Sequence, residues 1–192
     1  MDIVPSRNPA SRFPPVIGFV GPSGSGKTTL IAAIVPLLKA AGLRVGVLKH
    51  ARHGFDMDRP GKDSYRAREA GAAQVLVASR SRWVLMTELD GSLAEPPFHE
   101  LLAQFNPDAV DLVLAEGFAG ESYPKIEVHR PEHGEPPKCW PDDPMVFAVA
   151  TDAPLEVHPP VARLDLNAPA EVARFVLDHL LATAELPVIH AA

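Results

Sequence analysis

The sequence predicts a three-layer α/β domain with a mainly parallel central sheet and an added antiparallel hairpin. Short apolar runs alternate with segments whose apolar side chains recur every three or four residues, as expected when strands and helices alternate. The apolar runs at 74–78 and 83–87 stand close enough together to pair as a hairpin. A glycine-rich turn follows the first apolar run directly and precedes the first helical pattern.

The individual elements follow from the same periodicities. Helices are predicted where apolar residues recur at helical spacing, at 27–41, 63–70, 98–105 and 169–182. Strands are predicted at the short apolar runs, at 16–20, 44–49, 74–78, 83–87, 112–115, 125–129, 145–150 and 161–166. Parallel strands joined by right-handed helical crossovers all end at one edge of the sheet, where ligands bind in such folds.

Length, charge and cysteine content restrict the class of protein. The 192 residues suffice for one domain with a substantial core. With 24 acidic and 18 basic residues the formal charge is −6, which disfavours non-specific binding to nucleic acid or to a membrane surface. No apolar run approaches the roughly 18 residues that a membrane span needs, and the first 15 residues lack a secretory pattern. We therefore expect a cytoplasmic protein.

Proline marks the loops of this chain. Its 21 prolines are about twice the average usage of roughly 5%, and they cluster without a period. Because one cluster fills the beginning of the chain, we expect residues 1–14 to form a flexible tail and residues 15–192 to form a single domain. The clusters lie at 5–15, 96–97, 131–144 and 154–160.

The strongest chemical motif lies at the first strand–helix junction. The phosphate-binding pattern G-x-x-x-x-G-K-[ST] is matched in full by residues 21–28, where about 0.002 matches are expected by chance from this composition. Glycines let successive N–H groups point at phosphate oxygens, and the following helix adds its positive N-terminus. The fold prediction therefore becomes a P-loop NTPase fold. The predicted nucleotide-binding residues of the loop are Gly21, Ser23, Gly24, Ser25, Gly26, Lys27, Thr28 and Thr29.

A metal site is expected beside this loop. Lys27 would bridge the β- and γ-phosphates, and the hydroxyl of Thr28 would hold Mg²⁺. Such a site also uses a carboxylate at the end of a neighbouring strand, and the run before Glu116 delivers that side chain to the ligand-binding edge. In the polar loop after the second strand, Asp56 and Asp58 are candidate second carboxylates for Mg²⁺ or for orienting a water. Lys27 and Asp58 are thus the candidate catalytic residues.

Several of these assignments have alternatives. Glu116 would otherwise be an exposed carboxylate at a strand end. Asp152 either accepts hydrogen bonds from guanine N1–H and N2–H or shapes the turn that follows it. The usual guanine motif N-K-x-D is absent. His50 and His53, with carboxylates nearby, form an alternative site for a transition metal. Arg68, on the next helix, either meets a phosphate or, as is commoner, lies in solvent.

Three blocks of the sequence together resemble a known family. They are residues 16–29, the pattern K-H…H…D…D…P-G-K-D-S within 49–64, and the pattern E-G-F…P-K-I-E within 116–127. These blocks are similar to the molybdopterin-guanine dinucleotide biosynthesis adaptor family, the B protein of that pathway, and they span about two-thirds of the chain. The P-loop is generic, whereas the other two blocks are far more specific. Ala119 departs from the family, in which that position is commonly Lys.

The resemblance implies a GTP-binding adaptor that holds Mg²⁺, hydrolyses GTP weakly and forms a homodimer. It also implies association with the guanylyltransferase that joins GMP to molybdopterin. In this P-loop class, which includes dethiobiotin synthetase, a Thr, an Asp and a Glu share the metal; here these are Thr28, Asp56 or Asp58, and Glu116. Since molybdopterin is a phosphorylated anion, it is a possible ligand. The candidate contacts for it are Lys49, His50, His53, Lys62 and Lys125.

Two other functions stay open on the sequence. An ATP-dependent small-molecule kinase or ligase on the same fold would consume nucleotide much faster in the presence of its acceptor. A structural domain with a vestigial loop would bind no nucleotide. An adaptor would hydrolyse GTP slowly whatever small molecule is added. Slow hydrolysis is expected because no arginine finger is evident in the sequence, and such a residue contributes about 10³–10⁵ in rate.

Overall fold

The structure, a computed structural model, describes residues 13–51, 54–91, 95–131, 135–156 and 160–184. These residues group into two compact units. The first comprises the described residues of Met1–His50 and Phe98–Ala192, and the second comprises those of Ala51–Pro97. The predicted tail therefore lies outside the described residues except for residues 13 and 14. The single domain predicted from residue 15 onward stays a prediction.

All twelve predicted elements are present in the predicted order. In chain order they are β1 (Val16–Val20), α1 (Lys27–Ala40), β2 (Val45–Lys49), α2 (Asp63–Glu69), β3 (Gln74–Ala78), β4 (Trp83–Thr87), α3 (Phe98–Leu102), β5 (Leu112–Glu116), β6 (Lys125–His129), β7 (Val146–Thr151), β8 (Ala162–Asp165) and α4 (Pro169–Ala184). The largest difference is at α3, which ends three residues early because the backbone after it continues in tighter turns, with Phe105 N–H bonded to the Leu102 carbonyl. None of the described helices is long and apolar enough to cross a membrane.

The first unit is built on a six-stranded sheet in the order β2-β5-β1-β6-β7-β8, and every pairing in it is parallel. The side chains of β5 alternate between two apolar clusters, which places those clusters on opposite faces of the sheet. One cluster includes residues of α1 and α4, and the other includes residues of α3. The predicted three-layer fold with a mainly parallel sheet is therefore confirmed.

The second unit contains α2 and the antiparallel pair β3–β4, in which Leu76 lies opposite Leu85. The predicted hairpin is thus confirmed. By chain order, this unit is an insertion between β2 and α3. No residue of α2 is buried, and several large apolar side chains of the hairpin are exposed.

Candidate nucleotide and metal site

The glycine-rich loop connects β1 to α1 through backbone conformations that favour glycine. Gly21 has a φ of 130°, and a Cβ there would lie 2.4 Å from the carbonyl oxygen of Val128. At the other end of the loop, the N–H of Leu30 donates to the carbonyl of Gly26 at 2.9 Å, so α1 begins directly after the loop. The first N–H groups of a helix have no acceptor within it. The loop therefore presents backbone donors to a ligand.

Two side chains of the loop have the chemistry that phosphate binding requires. Lys27 donates from Nζ to the carbonyl oxygens of Gly21 and Pro22, at 2.9 and 2.5 Å, and so lies across the loop. Ser25 is buried, and its Oγ has no hydrogen-bond partner within the described residues. An unsatisfied buried hydroxyl costs about 1–3 kcal/mol, and a phosphate oxygen would accept its hydrogen bond. This orphaned group fits a loop that holds an anion.

Thr28 and Glu116, both predicted as metal ligands, contact each other at the start of α1. The hydroxyl of Thr28 lies 2.8 and 2.9 Å from the two carboxylate oxygens of Glu116, which is largely buried at the end of β5. Strand pairing brings a third group to this point, because Lys49 ends β2 directly beside Glu116. Its Nζ lies 3.0 Å from Thr28 Oγ1 and from Glu116 Oε1. The hydroxyl and carboxylate oxygens are the donor type that Mg²⁺ prefers.

The turn after Glu116 explains the E-G-F pattern. Gly117 has a φ of 95°, and a Cβ there would lie 3.0 Å from Cβ of His50. Phe118 also has a positive φ, 55°, and its ring stacks on that of His50 with centroids 4.9 Å apart. The backbone N–H of His50 donates to the carbonyl of Glu116 at 3.0 Å. His50, predicted as a cofactor contact, thus packs against the turn that carries Glu116.

Lys125, a predicted contact for molybdopterin, is buried in the structure. Its side chain is buried, and its Nζ donates to Asp143 Oδ2 at 2.6 Å and to the carbonyl of Ala119 at 2.9 Å. Burial would raise the pKa of Asp143, but the hydrogen bonds from Lys125 and from the backbone N–H of Met145, together with the charge of Lys125, hold this pKa below its usual value. Lys125 therefore ties together two loops, and this buried position supports a structural role over the predicted cofactor contact.

Glu127, the last residue of the P-K-I-E pattern, is a buried anchor that the sequence analysis missed. Its carboxylate accepts hydrogen bonds from the backbone N–H groups of Lys138 at 2.6 Å, Cys139 at 3.1 Å and Trp140 at 2.8 Å. Burial raises the pKa of the Cys139 thiol, which keeps it protonated at neutral pH. The pattern thus fixes the course of the loop after β6.

This loop forms one wall of a cavity of about 200 Å³ against the beginning of the P-loop. His129 is held there by a bond from Nε2 to the carbonyl of Glu135 at 2.8 Å, and Arg130 Nε lies 3.0 Å from Asp152 Oδ2. Asp152, the predicted acceptor for guanine, therefore forms an ion pair with Arg130, which lines the cavity. The residues that line the cavity are Pro22, Ser23, Ser25, His129, Arg130, Glu135, Pro136 and Lys138. Sequence reasoning missed this wall because the order of the strands was not known.

The two aspartates of the polar loop lie in the second unit, where Arg68 joins them. Arg68 Nη1 lies 3.3 Å from Asp56 and 3.4 Å from Asp58, and its Nε lies 2.5 Å from Glu88. Three carboxylates therefore surround Arg68, for which the sequence had left open a contact with phosphate or a position in solvent. Burial would raise the pKa of Asp58, but hydrogen bonds from Ser64, Arg59 and Arg68 lower it below its usual value. A metal role for the two aspartates stays a prediction.

Comparison with known proteins identifies the family. A match to the family described as "Molybdopterin guanine dinucleotide synthesis protein B", or MobB, covers residues 16–152. This chain belongs to the MobB family. It is 43% identical over 164 residues to the molybdopterin-guanine dinucleotide biosynthesis adapter protein of Escherichia coli, covering 85% of this chain and 92% of that protein. It is also 43% identical over 163 residues to the adapter protein of the same name from Haemophilus influenzae, covering 84% and 87%.

A solved structure supports the same conclusion. The crystal structure titled molybdopterin-guanine biosynthesis protein B matches with a TM-score of 0.66 and 27% identity, over 86% of this chain and 98% of that one. The resemblance read from the sequence is therefore confirmed, and so is the P-loop fold. The MobB match extends beyond the three blocks and ends at Asp152.

The remaining predicted residues of this MobB chain receive no support as metal ligands. Among the described residues, no three His, Cys, Asp or Glu side chains form a group that could hold a metal ion. His53, the second half of the alternative transition-metal site, lies outside the described residues. Lys62 is exposed and occupies the N-cap position of α2 in the second unit. The hydroxyl–carboxylate pair at the P-loop needs further oxygen ligands, which nucleotide phosphates would supply.

Proposed function

We propose that this MobB-family protein binds GTP with Mg²⁺ and acts as an adaptor in the attachment of GMP to molybdopterin. The observation that carries the proposal is the contact of Thr28 with both carboxylate oxygens of Glu116 at the first turn after the P-loop. This pair joins the loop to a second strand end at the ligand-binding edge of the sheet. A vestigial loop would not require a largely buried carboxylate at this position.

Each residue of the loop then has a defined task. Lys27 and the backbone N–H groups would bind the phosphates, and Ser25 would donate its unsatisfied hydroxyl. Thr28 and Glu116 would hold Mg²⁺, which when bound neutralises charge on the phosphates. Asp152 would accept hydrogen bonds from guanine N1–H and N2–H, while Arg130 holds its carboxylate in place.

Hydrolysis is proposed to be weak, with Asp58 orienting water. In the second unit the carboxylate of Asp58 accepts hydrogen bonds from Ser64 and from the backbone N–H of Arg59. These bonds and the nearby Arg68 keep Asp58 ionised, as a group that orients water through its oxygens must be. Lys27, the other candidate catalytic residue, would stabilise the charge that develops on the γ-phosphate.

The adaptor role rests on the relatives, which are named molybdopterin-guanine dinucleotide biosynthesis adapter proteins. The proposed partner is the guanylyltransferase of that pathway, and molybdopterin is a proposed ligand. The candidates for contact with the phosphate of molybdopterin stay those predicted from the sequence. The buried position of Lys125 favours the others, which are Lys49, His50, Lys62 and, outside the described residues, His53. We retain the cytoplasm as the proposed location.

We also propose a homodimer, and the hairpin of the second unit supports it. Three large apolar side chains share one face of β3–β4, since Leu76 pairs with Leu85 and Trp83 lies two residues before it. Their exposed fractions are 61%, 41% and 67% in the order Leu76, Leu85 and Trp83. An isolated two-stranded sheet is marginal in water, and a contiguous exposed apolar patch marks an interaction surface. Burial against a second copy would stabilise the hairpin.

The function is tested by calorimetric titration of the protein with GTP, GDP and ATP in the presence of Mg²⁺. We expect GTP to bind more tightly than ATP, and Lys27→Ala to lose this binding. Lys39→Ala, which removes an exposed lysine from the far end of α1, is the matched control and should behave as the unaltered protein. A preference for ATP would instead favour the kinase or ligase function. Absence of binding by all three nucleotides would overturn both.

A further inference from the structure

Lys49 lies on the oxygens that we assign to the metal. Its Nζ is 3.0 Å from Thr28 Oγ1, 3.0 Å from Glu116 Oε1 and 3.2 Å from Glu116 Oε2. One ammonium group thus contacts all three oxygen atoms of the proposed Mg²⁺ site. Lys49 is a predicted contact for molybdopterin, and its position beside Thr28 and Glu116 was not predictable from the sequence.

The charges around Glu116 explain why the ammonium lies there. A largely buried carboxylate is costly unless a positive group compensates it. Lys27, the lysine of the P-loop, donates to the carbonyls of Gly21 and Pro22. Lys49 therefore supplies positive charge directly to Glu116. A divalent cation on the same oxygens would place three positive charges against one negative charge, so the ammonium and the metal exclude each other.

The position of Lys49 allows it to leave the site. The side chain is 53% exposed, and its flexible four-carbon stem begins at the end of β2, at the edge of the sheet where ligands bind. A triphosphate at the P-loop would bring several negative charges to the same edge. These charges would compensate the metal and offer the ammonium a new partner.

We propose that Lys49 occupies the metal position in the nucleotide-free protein and moves to the phosphates when nucleotide and metal bind together. This inference rests on the proposed function, because it requires a metal–nucleotide site at Thr28 and Glu116. Lys49 is then a positioning residue that prevents the metal from binding alone. Metal occupancy becomes dependent on nucleotide, although Lys49 is not itself a metal ligand.

The test is the affinity for Mn²⁺, used alone as a paramagnetic probe and measured by the loss of its solution EPR signal. We expect Lys49→Met to bind Mn²⁺ in the absence of nucleotide at least about tenfold more tightly than the unaltered protein, because a positive charge beside the site is removed. Lys49→Arg keeps that charge and should bind Mn²⁺ as weakly as the unaltered protein does. Lys39→Met, with the same change of charge at an exposed position of α1, should have no effect. Adding Glu116→Gln to Lys49→Met should abolish the gain.

The second arm measures the affinity for GTP with Mn²⁺ present. We expect Lys49→Met to bind this pair at least about tenfold more weakly than the unaltered protein, because a cation that moves to the phosphates is lost. Equal Mn²⁺ affinity of Lys49→Met and the unaltered protein without nucleotide would overturn the inference, including the case in which neither binds. If the unaltered protein binds no nucleotide, the proposed function fails, whereas the Mn²⁺ comparison still decides whether Lys49 excludes the metal.

Discussion

Glu116 and Glu127 are buried carboxylates on the two strands that flank β1, yet their partners give them different roles. Glu127 accepts hydrogen bonds from three consecutive backbone N–H groups, which a ligand cannot replace without unfolding the loop. Glu116 is held by a hydroxyl and by the ammonium of a half-exposed lysine, both of which a metal ion can replace. Burial alone therefore does not identify the functional carboxylate, whereas the kind of group that contacts it does.

At the scale of single residues we predict that Glu127→Gln lowers the free energy of unfolding by about 2–4 kcal/mol. The amide has only one acceptor oxygen, and its NH₂ group would face backbone N–H groups that need an acceptor. Urea unfolding at neutral pH measures this loss. Glu121→Gln is the matched control, since Glu121 is exposed in the neighbouring loop, and it should change stability by less than about 0.5 kcal/mol. Equal stability of the two variants would contradict the anchoring role of Glu127.

At the scale of elements, the pairing of β2 with β5 determines which side chains meet at the site. Lys49 and Glu116 are partners in this register. The other end of the same pair of strands is joined by Asp111, which accepts from the backbone N–H and the Nε of Arg44 at 2.9 Å and from its Nη2 at 2.6 Å. These bonds fix the register of β2 with β5 from outside the site. The side chains at the ligand-binding end of the two strands can therefore change their contacts without a shift in strand pairing.

The bond between Arg44 and Asp111 predicts a pH dependence. The Arg44 guanidinium holds the pKa of Asp111 below its usual value, although burial opposes this shift. A carboxyl group with a lowered pKa stabilises the fold above its unfolded-state pKa of about 3.9. This stabilisation is lost as pH falls through the folded-state pKa. We therefore expect Asp111→Asn to be less stable than the unaltered protein at pH 7, with a difference that shrinks below about pH 4.

Urea unfolding at a series of pH values between neutral and strongly acidic measures this difference. Asp178→Asn, at an exposed position of α4, is the matched control and should follow the unaltered protein at every pH. A gap between Asp111→Asn and the unaltered protein that stays constant through the acidic range would show that ionisation of Asp111 does not stabilise the pairing of β2 with β5.

At the scale of the whole molecule, the chain divides its apolar residues unequally between its two units. The first unit has a sheet with apolar clusters on both faces. The second unit, inserted between β2 and α3, exposes the apolar face of its hairpin. A second copy of the chain would cover this face, and the dimer would then contribute to the stability of the insertion.

We predict that replacing Leu76 and Leu85 together by Lys converts a dimer into a monomer, because two charges are placed on the apolar face of the hairpin. Sedimentation velocity at micromolar concentration measures the mass, which should fall from that of two chains to that of one. Leu37→Lys, which alters an exposed apolar residue of α1 in the first unit, should leave the dimer intact. A variant that remains dimeric, or an unaltered protein that is already monomeric, would exclude the hairpin interface.

The strands were predictable from the sequence because parallel strands buried on both faces are continuous apolar runs, as in β1 and β5. The position of β5 between β2 and β1 was not predictable, because strand order depends on contacts between segments far apart in the chain. For the same reason, the residues that line the cavity beside the P-loop were not predictable. The cavity beside the P-loop depends on β6 lying next to β1, and the sequence gives no local sign of that pairing.

Within the site, Thr28 and Glu116 were predictable because a P-loop and the end of a parallel strand define their positions independently. The contacts of Lys49 and Arg68 were not predictable. Each of these side chains contacts carboxylate or hydroxyl oxygens from separate segments of the chain. The position of a side chain with several rotatable bonds depends on such contacts and not on its neighbours in sequence.

The most direct test of the account is the effect of Mg²⁺ on GTP affinity, measured by calorimetry as the ratio of Kd without and with the metal. For the unaltered protein we expect this ratio to be at least about ten, and for Glu116→Gln to approach one, because the carboxylate that would hold the metal is lost. Glu100→Gln, at an exposed position of α3, should keep the full ratio. A Glu116→Gln variant that retains the full effect of Mg²⁺ would contradict the assignment of the metal–nucleotide site to Thr28 and Glu116.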